Sequence, residues 1–297
     1  MNSLRERILG TLLTALPNRK FAATKILAAD FGLVGPDKPR ALVRANAVFV
    51  WSYYLRLLRL SSRRRRDRAY RRVVVRGEEN LHSAVGRGRG VLLLSVHLGD
   101  FDLGGGWLAE RCGVTPVVCT RPLRPAWRHF LFSAARRRLG IILRDADETR
   151  IETLETDLHR NCAVLVMLDR RPRGLGSPSR ILDRPSVVPH AIGALAARTG
   201  APLVAAASWR GRNGETLVWF GEPATAAGPD QAMAHIASAA DCLSQLIRAH
   251  PEQWHVPADL DELSWPARIK LGDSAAKRAL SLVPGHSAAL NSNPPSA

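Results

Sequence analysis

The sequence predicts an α/β domain: a mixed central sheet flanked by helices, with a helical section at the N-terminal end. Two observations carry this expectation. Short apolar, β-branched runs recur from Val73 onward (VVVRG, VLLLSV, TPVVCT, GIIL, AVLVML, APLVAAAS and TLVWFG), and amphipathic stretches of helical spacing separate most of them. Runs that are apolar throughout belong to strands covered on both faces, and the intervening helices supply the cover. A third observation sets the scale: 297 residues, 46% hydrophobic and 23% charged, suffice for one main domain with a sizeable core. Functional side chains in such a sheet belong just beyond strand ends.

Taken in order, residues 1–72 read as a helical, basic section. Leu, Ala, Val and aromatic residues recur near helical spacing, with breaks at Pro17 and around GLVGPDKP, and the section ends in SSRRRRDRAYRR. The most membrane-like window, Ala41 to Leu60, is interrupted by Arg44, Arg56 and Arg59, so it is amphipathic rather than membrane-spanning. Val48, Phe49, Trp51, Tyr53, Tyr54, Leu57 and Leu58 beside so much arginine suit a helix lying among anionic headgroups. They suit equally a core-packing helix followed by a solvated charge run. The stretch LGTLLTAL, followed by Pro17 and Asn18, lacks the form of a secretory signal.

Residues 73–265 form the main domain. GRGRG at 86–90 precedes an apolar strand, whereas a dinucleotide fingerprint follows one, so it is expected to be a turn. A last long helix is expected over about 231–250, and residues 266–297, rich in Ala, Ser, Asn and Pro, form a loosely ordered tail.

Lys+Arg 43 against Asp+Glu 26 gives a net charge of +17, nearly all of the basic residues being arginine. Guanidinium groups favour bidentate contact with phosphates and carboxylates, so an anionic partner is expected. Nucleic acid, phospholipid headgroups and a phosphorylated carrier all satisfy that demand. The four cysteines show no C-x-x-C pair and no histidine at metal-ligand spacing, and read as reduced thiols.

The chemistry concentrates in VLLLSVHLGDFDLGGG, residues 91–106. An apolar strand delivers His97 to a turn marked by Gly99, and Asp102 follows. A carboxylate that holds one imidazole nitrogen leaves the other unprotonated and aimed, as deprotonating a hydroxyl nucleophile requires. His97 is therefore the candidate base and Asp102 its partner. A helix opening near Phe101 would offer free N–H groups to developing negative charge. His97, Asp100 and Asp102 also suit a metal-ligand reading, but no second histidine motif accompanies them.

HLGDFD, with its preceding strand and following glycines, resembles the H-x4-D/E motif of the glycerolipid acyltransferase superfamily. It is closest to the HFGNWE-like form of bacterial lipid A acyltransferases and their phosphatidylinositol mannoside acyltransferase relatives. Further blocks match in the same order. CTRPLRPAWRHFLFSAARRRLGI (119–141) resembles the Arg-Pro block and places Arg121 on an anion-binding arginine. VLVMLDRRP (164–172) resembles the block ending in an acidic residue and Gln, which Asp169 matches and Arg170 does not. ILDRPSVVPHAIGALAARTGAPLV (181–204) resembles the glycine/arginine-proline turn with its substrate-side loop, and LIRAHPEQWHVP (246–257) the closing segment. The likeness covers roughly residues 70–260.

The resemblance implies a glycerolipid-acyltransferase-like fold and transfer of a fatty acyl group from acyl-CoA or acyl-ACP, as co-substrate, to a hydroxyl of a membrane glycolipid or phospholipid-linked sugar. It implies catalytic His97 and Asp102 with neither cofactor nor metal, and substrate-binding Arg121, Asp169 and Arg170. Read from the residues alone, Asp169 suits holding an arginine, positioning the acceptor or capping a helix, the arginines at 170, 171 and 173 suit a solvated loop, and Trp254 suits the core or an interface. The relatives commonly begin with a transmembrane helix, which this sequence lacks, so peripheral attachment to an anionic surface at the cytoplasmic face of the cell membrane is expected. Two alternatives remain: acylation of a soluble specialised metabolite, and a basic nucleic-acid-binding protein, which explains the charge but not the ordered blocks.

Overall fold

All seven apolar runs are strands of one sheet. A computed structural model describes residues 37–256 except 124, 171–175 and 183, so the expected tail, the first half of the helical section and the arginines at 171 and 173 lie outside the described residues. The strands are β1 (Val73–Arg76), β2 (Val91–Ser95), β3 (Pro116–Thr120), β4 (Ile142–Asp145), β5 (Ala163–Met167), β6 (Gly176–Ile181), β7 (Arg184–Pro189), β8 (Leu203–Arg210) and β9 (Thr216–Phe220). The helices are α1 (Asp37–Arg59), α2 (Arg63–Tyr70), α3 (Glu78–Val85), α4 (Phe101–Arg111), α5 (Ala126–Arg138), α6 (Ile151–His159), α7 (Ala191–Thr199) and α8 (Pro229–Ala249).

The main sheet runs β1-β9-β8-β2-β5-β3-β4. Every neighbouring pair is parallel except β8 with β9. The sheet is thus mixed, as expected. β6 and β7 form a separate antiparallel hairpin where the sequence suggested a turn and loop. Its Ser-Pro and Arg-Pro steps and interspersed polar residues hide it from a search for continuous apolar runs.

The pleat divides the core in two. Leu92 and Leu94 of β2, with Val164 and Val166 of β5, face the cluster closed by α6, α7 and α8. Val91, Leu93 and Ala163 face the opposite cluster, with Phe49, Tyr53, Leu57 and Tyr70 from α1 and α2. Alternate residues of a strand point to opposite faces, so β2 is buried throughout because both faces are covered. The described part of the N-terminal section therefore packs into the core, and Asn46 of α1 donates to the carbonyls of Glu252 (3.0 Å) and Trp254 (2.7 Å). No helix among the described residues is long and apolar enough to cross a membrane.

Helix α4 carries Gly104, Gly105 and Gly106, poor helix formers that here let it approach its neighbours. A Cβ at Gly106 would collide with the Tyr70 hydroxyl, and one at Gly104 would sit 3.5 Å from the Ser208 Cβ of β8. The GRGRG segment is a turn leading into β2, and the last long helix starts at Pro229, where its missing N–H costs nothing.

Candidate active site

The site is built where β2 and β5 end. These strands are adjacent and parallel, with Ser95 paired to Met167, so the residues two places further on, His97 and Asp169, emerge side by side. His97 Nδ1 lies 2.8 Å from Asp169 Oδ1, and the His97 backbone N–H donates to Asp169 Oδ2 at 3.0 Å. The sequence paired His97 with Asp102; the structure pairs it with Asp169. Asp102 lies in the first turn of α4, and its carboxylate points into the helical layer. There it accepts from Arg136 Nε at 2.9 and 3.0 Å and from the Tyr53 hydroxyl.

The remaining carboxylate of HLGDFD is also committed. Asp100, 2% exposed, accepts from Arg56 of α1 at 2.6 Å and from Arg210 of β8 at 3.0 and 3.2 Å. The three polar side chains of the motif thus diverge to three separate sets of partners. Among the described residues, the side chains that meet in metal-ligand fashion are Glu78, His82 and Cys112, contributed by α3 and the end of α4. Sequence spacing had shown no such pairing of a cysteine with a histidine. All four cysteines are free thiols, and burial pushes those of Cys112 and Cys119 up to about 11.

Asp169 is fully buried, and its carboxylate is a hub. Besides the two contacts from His97, its Oδ2 accepts from Trp254 Nε1 at 2.8 Å and from Arg170 Nη1 at 3.0 Å. Burial alone would raise its pKa. The Arg170 guanidinium, the His97 ring and the hydrogen bonds from His97 and Trp254 outweigh burial and hold the carboxyl well below the usual carboxylate range. His97 shifts downward: burial and the Arg170 charge disfavour the imidazolium more than Asp169 favours it. The result is an ionised carboxylate holding a neutral imidazole. With Nδ1–H donated to Asp169, the lone pair lies on Nε2, the arrangement a general base needs.

The closing segment holds this pair in place. The Gly99 N–H donates to the Gln253 carbonyl at 3.0 Å, and the His255 N–H donates to the His97 carbonyl at 2.8 Å, so residues 253–255 zip onto the His97 turn. Gln253 clamps β8 through the Arg210 N–H and carbonyl at 2.7 and 2.8 Å. Gly99 makes the turn possible. Its φ is +61°, and a Cβ there would collide with the Ser208 carbonyl oxygen.

Of the expected substrate-binding residues, Asp169 is the histidine's partner, and Arg170 turns inward. Besides its contact with the Asp169 carboxylate, its guanidinium bonds to the Asp169 and His255 carbonyls. Arg121 is exposed in the loop after β3, at the same strand-end edge as His97. Trp254, which the sequence assigned to core or interface, is 1% exposed and is also the indole donor to Asp169. The only sequence signal for this was its place in the closing block. Trp254→Phe removes one hydrogen bond to a buried charge. It is expected to lower kcat about tenfold with little change in KM; equal losses in kcat for Trp254→Phe and for a remote core variant of matched stability would reduce Trp254 to packing.

The model of a family described as bacterial lipid A biosynthesis acyltransferase matches residues 4–256. Phosphatidylinositol mannoside acyltransferase of Mycobacterium tuberculosis is 29% identical over 254 residues, spanning 83% of this chain and 79% of that protein. The protein of the same name from Mycolicibacterium smegmatis is 27% identical over 251 residues, spanning 83% and 81%. A solved 1-acyl-sn-glycerophosphate acyltransferase from Thermotoga maritima overlaps 84% of this chain and 100% of its own, at 15% identity and a TM-score of 0.39, too loosely to bear on the site. With a match spanning most of its length, the chain belongs to the bacterial lipid A biosynthesis acyltransferase family.

Proposed function

We propose that this acyltransferase moves a fatty acyl group from an acyl thioester, acyl-CoA or acyl-ACP, to a hydroxyl of a membrane glycolipid of the mannosylated phosphatidylinositol type. The names of the two mycobacterial relatives support this acceptor. The single observation that carries the mechanism is the 2.8 Å contact between His97 Nδ1 and the buried, ionised Asp169. His97 Nε2 takes the proton of the acceptor hydroxyl as its oxygen attacks the thioester carbonyl. Asp169 offsets the charge on the imidazolium, and the tetrahedral oxyanion forms near the opening turn of α4. Collapse expels the thiolate, which recovers the proton from His97. The products are an ester and a free thiol, and neither a metal nor a cofactor is called on.

Arg121, on the same edge, is assigned to the phosphate groups of the donor or the acceptor. The site works at the cytoplasmic face of the membrane, with the protein peripherally attached. Two measurements test this reading. Purified protein should convert mannosylated phosphatidylinositol and a long-chain acyl thioester to a species one acyl chain heavier. A deletion strain should lose one acylated lipid. An unchanged lipid profile together with no transfer in vitro would overturn the acceptor assignment.

A further inference from the structure

Among the described residues, half of the large apolar side chains that face solvent lie on one stretch of chain, the loop after β3 and the start of α5. Trp127 is 64% exposed and Phe130 76%, with Leu123 and Leu131 at 36% and 38%. All four lie between the end of β3 and the middle of α5. Trp127, Phe130 and Leu131 recur at helical spacing and share one face of α5, while Phe132 on the far side and Ala135 at the flank are buried against the core. The exposed face continues into Arg137 and Arg138, so its apolar residues give way to a cationic end. A neighbouring apolar pair, Trp51 and Leu55, is exposed on α1, whose Tyr54 ring lies 4.7 Å from that of Phe132.

Position gives this face its meaning. β3 is parallel to β5, with Val118 paired to Leu165, so the chain leaves β3 at the edge where His97 and Asp169 stand. We infer that the Trp127/Phe130 face of α5 is where this protein docks on an anionic phospholipid bilayer, setting the His97 edge against the lipid surface. Aromatic side chains with an apolar body suit the headgroup–acyl boundary, and arginines about two turns along suit the phosphates there. Charge complementarity favours this occupant over a second copy of the chain. At +17, two copies meeting across this face would bring like charges together. The inference rests on the proposed lipid acceptor and locates the surface that presents it. It also places the membrane contact on α5, since Phe49, Tyr53 and Leu57 of α1 are buried.

The test is sedimentation of the full chain with phosphatidylcholine vesicles that contain or lack phosphatidylglycerol, comparing wild type with the Trp127→Ser/Phe130→Ser variant. Both residues are exposed and outside the catalytic cluster, so the variant should keep its melting temperature. Wild type should sediment with the anionic vesicles. The variant should partition about tenfold less or worse, since each ring loses its apolar burial. With a detergent-dispersed acceptor, the two should transfer acyl groups at the same rate. Equal partitioning of wild type and variant would overturn the inference, as would a variant that loses self-association while its vesicle binding is unchanged. Loss of transfer in detergent would also overturn it, by placing the rings in the active site. Absence of transfer in wild type would instead strike the proposed function and leave the vesicle result to stand by itself.

Discussion

Asp169→Asn is expected to lower kcat by about 10²–10⁴-fold, and His97→Ala by at least as much, with the fold retained in both. Asparagine keeps the shape of the aspartate but removes the charge that offsets the imidazolium, and it no longer enforces the Nδ1–H tautomer. The pH profile separates this from a structural effect. In the proposed mechanism transfer requires neutral His97, so the rate should fall as pH drops through the histidine's pKa. Burial and Arg170 place that pKa below the ordinary 6.5, and the acid limb of kcat/KM should lie there. Asp169 favours the protonated ring, so Asp169→Asn should move the limb further toward acid. Asp102→Asn should leave it where it is, because the Asp102 carboxylate is held by Arg136 and Tyr53. If Asp102→Asn shifts the limb and Asp169→Asn does not, the base is paired the other way.

The second large effect is on stability. Arg136→Met would leave the Asp102 carboxylate, 6% exposed, with only the Tyr53 hydroxyl as partner. An uncompensated buried charge of this kind costs about 3–5 kcal/mol. In a chain of this size that lowers Tm by roughly 6–20 °C, measurable by scanning calorimetry. Burial raises the Tyr53 phenol well above its ordinary pKa, and the Asp102 carboxylate beside it adds to that rise. Combining Arg136→Met with Asp102→Asn should therefore recover part of the loss. Additive losses in the double variant would show that the pair is not coupled. Because α1 and α5 meet at this cluster, the motif's aspartate acts as a buried tie between the N-terminal helix and the catalytic turn.

The inner strands of the sheet were legible because a strand buried on both faces has to be written as a continuous apolar run, and a helix that covers it has to be amphipathic; the half-exposed edge strands β1 and β4 were legible from their short β-branched runs. The same rule concealed the β6–β7 hairpin, whose strands are polar and proline-bearing rather than continuously apolar. His97 was legible for a related reason: a polar residue delivered by a buried strand to a glycine turn stands where chemistry is exposed. Its partner was not. Spacing along the chain favoured Asp102, only five residues away, but the α4 helix starts between them and turns that carboxylate toward Arg136. Asp169 is 72 residues distant in sequence and becomes a neighbour only through the parallel register of β2 with β5. Trp254 reaches the same carboxylate because residues 253–255 pair with the His97 turn. The sequence alone determined the α/β architecture and the class of reaction and singled out His97 at a strand end, since these depend on local pattern. Which carboxylate serves the base, and which helix keeps an apolar face in solvent, were decided by strand order and packing, which no local pattern encodes.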